Sequence, residues 1–194
     1  MDELGPATAD RPRVATAPVV VRPERADDYE AIRQIYAAAF ARPESPEPVP
    51  LEVGIFEALW ASGDAIPELS FTALKEVGPV GHVTASRATV ATDSVVAVGP
   101  IGVLPEHQGL GIGSALMDAL LTAADAAGVP MIVLLGSPRY YGRFGFRPAE
   151  ELGVISPEPS WREALQTRPL TAYTPAVAGP FQYAPAFPPK RLRG

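Results

Sequence analysis

The chain has 194 residues and no cysteine, and its 22 acidic and 16 basic residues give a net charge of −6. This length favours one domain with a sizeable core, and the absence of cysteine excludes disulfides, thiolate nucleophiles and cysteine metal sites. The acidic balance argues against a broad nucleic-acid or anionic-membrane surface. Two histidines, His82 and His107, are too few for a His-rich metal site. We therefore expect a globular protein with no metal, no nucleic-acid partner and no membrane partner.

The two ends of the chain differ from its middle. The first 18 residues mix charged residues with Ala and Pro and lack the apolar run of a secretory signal, which predicts a flexible leader over residues 1–18 of a cytoplasmic protein. Prolines are concentrated before residue 50 and from residue 148 onward. We expect the main domain over residues 19–150, followed by a Pro-rich extension over residues 151–194 that packs on the same domain.

Hydrophobic periodicity places the first elements. Residues 19–21 form a short β-branched run, and an acidic cap at residues 27–30 precedes apolar positions spaced at i, i+3, i+4 and i+7. This pattern predicts a helix that ends before Pro43. The spacing of apolar residues over residues 51–60 predicts a second, short helix. The Ser-Gly-Asp sequence at residues 62–64 should end it.

Three strands are predicted next. Residues 69–76 and 80–90 flank a Val77-Gly78-Pro79 turn and predict a hairpin. A third strand over residues 95–103 follows a turn at residues 92–94. These three strands should form an antiparallel meander.

A glycine-rich segment, Gln108-Gly-Leu-Gly-Ile-Gly113, connects the third strand to a predicted helix beginning near Ser114. Free N–H groups at a helix start carry the positive end of the helix dipole, and glycine lets a phosphate approach without a Cβ in the way. A P-loop would need a lysine before Ser114, and a dinucleotide fingerprint would need Gly-x-Gly-x-x-Gly after the first strand. Neither pattern is present, so the segment predicts an anion cradle of another kind.

The segment resembles the Gln/Arg-x-x-Gly-x-Gly/Ala pyrophosphate loop of the GCN5-related N-acetyltransferase (GNAT) family. Farther on, residues 131–136 predict a buried strand, and Tyr140-Tyr-Gly-Arg-Phe-Gly-Phe146 is similar to the aromatic ending of that family, especially of a bacterial subgroup of predicted N-acetyltransferases. The resemblance covers residues 19–149. It implies an α/β fold whose mixed, mostly antiparallel sheet has flanking helices and is splayed between its fourth and fifth strands, where acetyl-CoA inserts.

The resemblance also implies the residues of the site. The pyrophosphate would be held by the loop and helix start, which comprise Gln108, Gly109, Leu110, Gly111, Ile112, Gly113 and Ser114. The main chain of Ile101, Gly102 and Val103 would pair with the pantetheine arm. Tyr141 would lie near the thioester sulfur as general acid for the departing thiolate, although it could instead simply pack in an aromatic cluster.

The implied reaction transfers an acetyl group from acetyl-CoA to a primary amine by direct attack in a ternary complex. The amine must lose a proton, yet the predicted strand over residues 95–103 contains no Asp or Glu. His82, Glu52, Glu57 or a water chain could take that proton, although His82 could equally be structural. The alternative is a catalytically silent acyl-CoA-binding or scaffold protein of the same fold.

Charge patterning bears on the acceptor. Six carboxylates and no basic residue lie between Arg42 and Lys75, namely Glu44, Glu47, Glu52, Glu57, Asp64 and Glu68. The resemblance places this region beside the acceptor cleft, which would favour a cationic small-molecule or peptide amine. A solvated acidic loop is the alternative interpretation.

Three arginines and the proline-rich end leave further alternatives. Arg139, Arg143 and Arg147 recur at the spacing of one helix face and could contact the ribose phosphate of CoA or solvent. Gly145 should nevertheless end the helix before Arg147. The proline-rich end could cover the site or pair with a second copy of the chain as a homodimer.

Overall fold

A computed structural model describes residues 18–42 and 49–187. The predicted leader, except for Pro18, and the predicted acidic positions Glu44 and Glu47 lie outside the described residues. The strands are β1 Val20–Pro23, β2 Phe71–Lys75, β3 Gly78–Val90, β4 Asp93–Val103, β5 Met131–Leu135, β6 Arg147–Pro148, β7 Val154–Ile155, β8 Leu165–Pro169 and β9 Gly179–Tyr183. The helices are α1 Tyr29–Ala39, α2 Leu51–Ser62, α3 Ile112–Ala126 and α4 Pro138–Tyr141. Across the described residues we find no helix with the length and hydrophobicity that a membrane span requires.

The strands form one mixed sheet in the order β1-β2-β3-β4-β5-β8-β6, and β9 pairs with β3 and β7. The predicted meander is confirmed, since β2, β3 and β4 are antiparallel neighbours. Strand β2 begins two residues later than predicted because Leu69 and Ser70 close a turn, in which both N–H groups donate to the carbonyl of Ile66.

Helix α1 begins within the predicted acidic cap, with Asp28 as its N-cap residue, but the Asp28 side chain bonds to the preceding turn rather than to the helix. A 3₁₀ turn over Ala26–Asp28 precedes α1, and the carboxylate of Asp28 accepts the N–H of Arg25 at 3.0 Å. The same carboxylate forms an ion pair with Arg22 at 2.7 Å, and the guanidinium lowers the pKa of Asp28. Asp28 therefore fixes the chain entering α1 to the end of β1.

Helices cover both faces of the sheet. Helices α1 and α2 pack together through Ile32, Tyr36 and Phe56 on one face, whereas α3 packs through Leu116 and Leu120 against the other. Val96 and Val98 of β4 pack in the core cluster that contains Leu116 and Leu120, whereas Val95 and Ala97 pack in a second core cluster. Both faces of this strand are therefore apolar, as in a strand that is covered on both sides.

The sheet opens between β4 and β5. These strands are parallel and pair only from Val96 to Val98 on β4. The register of β4 against β3 then shifts, so that Gly99 and Pro100 together oppose Thr84 in a bulge. Gly99 adopts a φ of +144°, which favours glycine. Beyond the bulge β4 stays paired with β3 while β5 diverges, which confirms the predicted splay.

The described chain after residue 150 contributes to the same sheet. Strand β8 lies between β5 and β6, and β9 pairs with β3 from Ala88 to Val90. Phe181 of β9 is 1% exposed and belongs to a core cluster that also contains Val90 and Met131. Neither β8 nor β9 was predicted from the sequence.

Candidate active site

The glycine-rich loop forms an open cradle at the start of α3. Gly109 and Gly111 have φ values of +73° and +81°, and a Cβ built on either would have no heavy atom within 4 Å. Gly111 is the N-cap of α3, and no side chain caps the first turn of this helix. The first N–H groups of the 15-residue helix are thus available to a ligand, as an anion site requires.

The loop is tied to the end of β4. The side-chain amide of Gln108 donates to the carbonyl oxygen of Val103 at 3.0 Å. Residues 108–111 are exposed, whereas Ile112 is buried and anchors the helix start in the core. This arrangement holds the backbone of the cradle in place and leaves its outer face open.

The C-terminal half of β4 forms one wall of the opening between β4 and β5. The N–H of Leu104 donates to Val80 of β3, and Gly102 is in register with His82. Because neighbouring strand residues direct their main-chain groups to opposite sides, the main chain of Ile101 and Val103 faces the opening. Gly102 serves packing, because a Cβ there would lie 2.9 Å from the Tyr36 ring.

Tyr141 lies beyond the end of β5 in an aromatic cluster. Its ring packs edge-on against Tyr140 and Phe146, at centroid distances of 4.9 and 5.9 Å. A Cβ at Gly136 would overlap the Tyr141 ring, so glycine is required there. Burial, with a smaller contribution from Tyr140, raises the pKa of Tyr141 to about 12. The hydroxyl therefore stays protonated at neutral pH, as a proton donor must.

The helical segment ends at Gly145, before Arg147, as the sequence predicted, so the three arginines do not share one helix face. Helix α4 ends at Tyr141, a 3₁₀ turn follows, and Gly145 turns the chain with a φ of +80°. Arg147 consequently lies in β6 rather than on a helix. The guanidinium of Arg143 instead folds back over the Tyr140 ring, 4.3 Å from its centroid.

Comparison with known proteins agrees with this geometry. Residues 29–146 match the model of the acetyltransferase (GNAT) family. The chain is 31% identical over 157 residues to the uncharacterized N-acetyltransferase YjhQ of Escherichia coli, an alignment that covers 74% of this chain and 83% of YjhQ.

Two solved structures share the fold. A GNAT family acetyltransferase of Brucella melitensis, in complex with acetyl-CoA, has a TM-score of 0.71 and 30% identity, covering 89% of this chain and 99% of that one. YhbS of Escherichia coli, in complex with CoA, has a TM-score of 0.78 and 24% identity over 96% of both chains. The chain belongs to the GNAT family of acetyltransferases. The resemblance found in the sequence and the predicted fold are both confirmed.

The three candidate bases of this GNAT domain have different surroundings. His82 is fully buried on β3. Glu57 forms an ion pair with Arg33 at 2.5 Å, so it is not one of six unopposed carboxylates, as the sequence suggested. Glu52, in the first turn of α2, is half-buried and has no ion-pair or hydrogen-bond partner among the described residues.

His82 belongs to a buried polar chain that sequence reasoning missed. Its Nδ1 lies 2.7 Å from the Tyr36 hydroxyl, and its Nε2 lies 2.9 Å from a carboxylate oxygen of Glu24. The Tyr36 hydroxyl also donates to the carbonyl of Pro100 in the β4 bulge at 2.8 Å and contacts Thr84 at 2.9 Å. Burial lowers the pKa of His82 and raises that of Tyr36 well above its usual value. Both ring nitrogens of His82 are engaged, which favours its structural interpretation.

The donors and acceptors in this hydrogen-bond chain determine which of its atoms carry protons. A carbonyl only accepts, so Tyr36 donates its single proton to Pro100, and Nδ1 of His82 must carry the proton it shares with the Tyr36 oxygen. The bond between Nε2 and Glu24 then needs a proton that neither a neutral imidazole nor an ionised carboxylate supplies. For all of these contacts to be hydrogen bonds, the Glu24–His82 pair must hold one proton more than a neutral imidazole and an ionised carboxylate do.

The residues present fit acetyl-CoA. The open Cβ positions at Gly109 and Gly111 leave room for a pyrophosphate against the helix start. The main chain of Ile101 and Val103 faces the gap in the sheet, although the Val103 carbonyl is already taken by Gln108. No group of three or more His, Asp or Glu residues within the described ranges could hold a metal ion.

Proposed function

We propose that this protein transfers an acetyl group from acetyl-CoA to a primary amine by direct attack within a ternary complex. The observation that carries the proposal is the pair of open, positive-φ glycines, Gly109 and Gly111, at the uncapped start of α3. The backbone N–H groups from Gly109 to Ser114 would bind the pyrophosphate. Ile101 and Val103 would pair with the pantetheine arm, with Gly102 between them. The acetyl-CoA complex of the Brucella melitensis relative supports this assignment.

The chemistry needs one proton removed and one supplied. The amine nitrogen attacks the thioester carbon, a C–N bond forms, the C–S bond breaks, and the CoA thiolate leaves. Tyr141 is proposed as the proton donor to that sulfur. The raised pKa of Tyr141 keeps its hydroxyl protonated. A hydrogen bond or a proton from this hydroxyl would stabilise the departing thiolate, since the pKa of a thiol is near 8.5.

Fewer groups can accept the proton lost by the amine than the sequence suggested. His82 has no free ring nitrogen and Glu57 is paired with Arg33. Glu52 or a chain of water molecules therefore remains as the route. A cationic small-molecule or peptide amine is proposed as the acceptor, because Glu52 would attract it.

The experiment compares two glycines at opposite ends of α3. Gly111 and Gly128 have φ values of +81° and +72°, and neither has an atom within 4 Å of its Cβ position. Alanine at either position should cost similar stability, on the order of 1 kcal/mol. In Gly111→Ala the methyl group occupies the space where a phosphate would lie. Titration calorimetry should show acetyl-CoA affinity falling about tenfold or more in Gly111→Ala, as loss of charge-assisted hydrogen bonds predicts.

Gly128→Ala is the matched control and should bind acetyl-CoA as the wild type does. Equal affinities in the two folded variants would remove the pyrophosphate assignment.

A further inference from the structure

A basic cleft of about 510 Å³ lies beside the proposed cofactor site, between α3, the turn after α4, and β8. Its charged lining comprises Arg143, Arg147, Arg168 and Asp118. Three guanidiniums face one carboxylate, so the cleft carries a net positive charge in a protein whose net charge is −6. Such a local excess favours an anionic ligand.

Two of the three guanidiniums are held by the backbone. Arg168 donates to the carbonyl of Phe144, and Nε of Arg143 donates to the carbonyl of Tyr140 at 3.0 Å. Neither Arg147 nor Asp118 has an ion-pair partner among the described residues. A guanidinium presents five N–H donors in a rigid fork. Positioned guanidiniums with unused donors suit a phosphate.

The cleft adjoins the glycine cradle. The hydroxyl of Tyr140 lies 3.2 Å from the Cβ position of Gly113, and Arg143 covers the ring of the same tyrosine. Asp118 follows Gly113 by five residues on α3, about 7.5 Å along the helix axis at 1.5 Å per residue. A ligand whose pyrophosphate occupies the cradle can therefore extend into the cleft.

We propose that the cleft binds the 3′-phosphate of CoA through Arg143 and Arg147, with Arg168 adding charge behind them. The inference rests on the proposed function, because CoA carries this phosphate one ribose away from its pyrophosphate. Asp118 opposes the phosphate and limits the affinity. The cleft thereby distinguishes CoA from the same cofactor without its 3′-phosphate.

The test measures calorimetric affinities of the full chain for acetyl-CoA and for 3′-dephospho-acetyl-CoA. The wild type should prefer acetyl-CoA by about tenfold or more, as expected for charge-assisted hydrogen bonds. We expect Arg147→Gln and Arg143→Gln each to reduce this preference severalfold. Each should lower the affinity for acetyl-CoA and leave the affinity for 3′-dephospho-acetyl-CoA unchanged. Arg87→Gln, which alters an exposed arginine on β3 outside the cleft lining, is the matched control and should keep the full preference.

Asp118→Asn provides a test of opposite sign. Removing the carboxylate should increase affinity for acetyl-CoA and leave that for 3′-dephospho-acetyl-CoA unchanged, so the preference rises. Because Asp118 is exposed on α3, this variant does not depend on repacking the core. A gain of affinity also cannot result from partial unfolding.

The outcomes separate the two proposals. If the wild type binds both cofactors equally, or if Arg147→Gln and Asp118→Asn leave the preference unchanged, the cleft proposal is overturned and the acetyltransferase proposal stands. If neither cofactor binds the folded protein, the proposed function itself fails.

Discussion

The Tyr141 ring lies in an aromatic cluster with Tyr140 and Phe146, and burial raises the pKa of its hydroxyl to about 12. The folded state therefore favours the protonated phenol. Because the folded pKa lies above the ordinary value of 10.0, the stability gained by burying this group is complete below about pH 10 and is lost between about pH 10 and 12. The hydroxyl of Tyr141 thus stays protonated throughout the physiological range.

Replacing Tyr141 with Phe separates its chemistry from its packing. The ring contacts with Tyr140 and Phe146 persist, so we expect the KM for acetyl-CoA to change little. Loss of the donor should lower kcat by about 10²- to 10⁴-fold, as for other general acids. Steady-state thiol-release kinetics measure both constants. Tyr173→Phe, which alters a tyrosine outside this cluster, is the control, and a kcat for Tyr141→Phe equal to that of the control would reduce Tyr141 to a packing residue.

At the scale of elements, the buried chain from Glu24 through His82 to Tyr36 joins the end of β1, strand β3, helix α1 and the β4 bulge. The Tyr36 hydroxyl holds the carbonyl of Pro100 where β4 leaves β5. This contact fixes the bulge that opens the sheet. Proton counting requires Glu24 and His82 to share one proton, and this gives a test.

Glu24→Gln should preserve the chain, because the side-chain amide donates to Nε2 of His82 and supplies the missing proton. We expect its free energy of unfolding to stay within about 1 kcal/mol of the wild type, a typical net hydrogen-bond contribution. Glu24→Leu leaves a buried ring nitrogen without a partner and should cost about 1–3 kcal/mol. Urea denaturation at neutral pH measures both, and a Gln variant as unstable as the Leu variant would refute the proton count.

Local features of the fold were predictable, and distant contacts were not. The cradle at residues 108–113 and the β2-β3-β4 meander depend on glycine spacing and alternation within short segments. Glu24 and His82 are 58 positions apart, and nothing in either neighbourhood predicts their contact. Strand β8 was not predicted because its sequence lacks the alternation of apolar and polar residues that indicates a strand. It contains Gln166 and Thr167 in succession and ends in a proline. The ion pair of Glu57 with Arg33 was missed because it depends on how α2 packs against α1.

At the scale of the whole molecule, charge is unevenly distributed. The cleft at the proposed cofactor site has an excess of arginine, whereas α2 carries Glu52 and Glu57 and no basic residue. Arg33 neutralises Glu57, so we assign attraction of a cationic acceptor to Glu52. Exposed charges are screened within about 8 Å at physiological ionic strength, which makes this attraction sensitive to salt.

An amine screen in low and high salt tests this assignment. For a cationic acceptor, kcat/KM should fall as salt increases, and Glu52→Gln should reduce that fall severalfold, since one unpaired charge is removed. Glu57→Gln is the contrasting variant, because it takes from Arg33 its partner on α2 and leaves the pairing with Glu30. At low salt it should lower kcat/KM for the cationic acceptor no less than Glu52→Gln does. A best acceptor that is neutral or acidic, with kinetics insensitive to salt, would contradict the electrostatic account.

The crystal structure of the chain with acetyl-CoA tests the central claim most directly. We predict that pyrophosphate oxygens lie within hydrogen-bond distance, about 3 Å, of backbone N–H groups between Gly109 and Ser114. The pantetheine arm should run along Ile101 and Val103 in the gap between β4 and β5, with the thioester sulfur beside Tyr141. Acetyl-CoA bound at another surface, with the loop at Gly109–Ser114 free and the gap between β4 and β5 empty, would contradict the account.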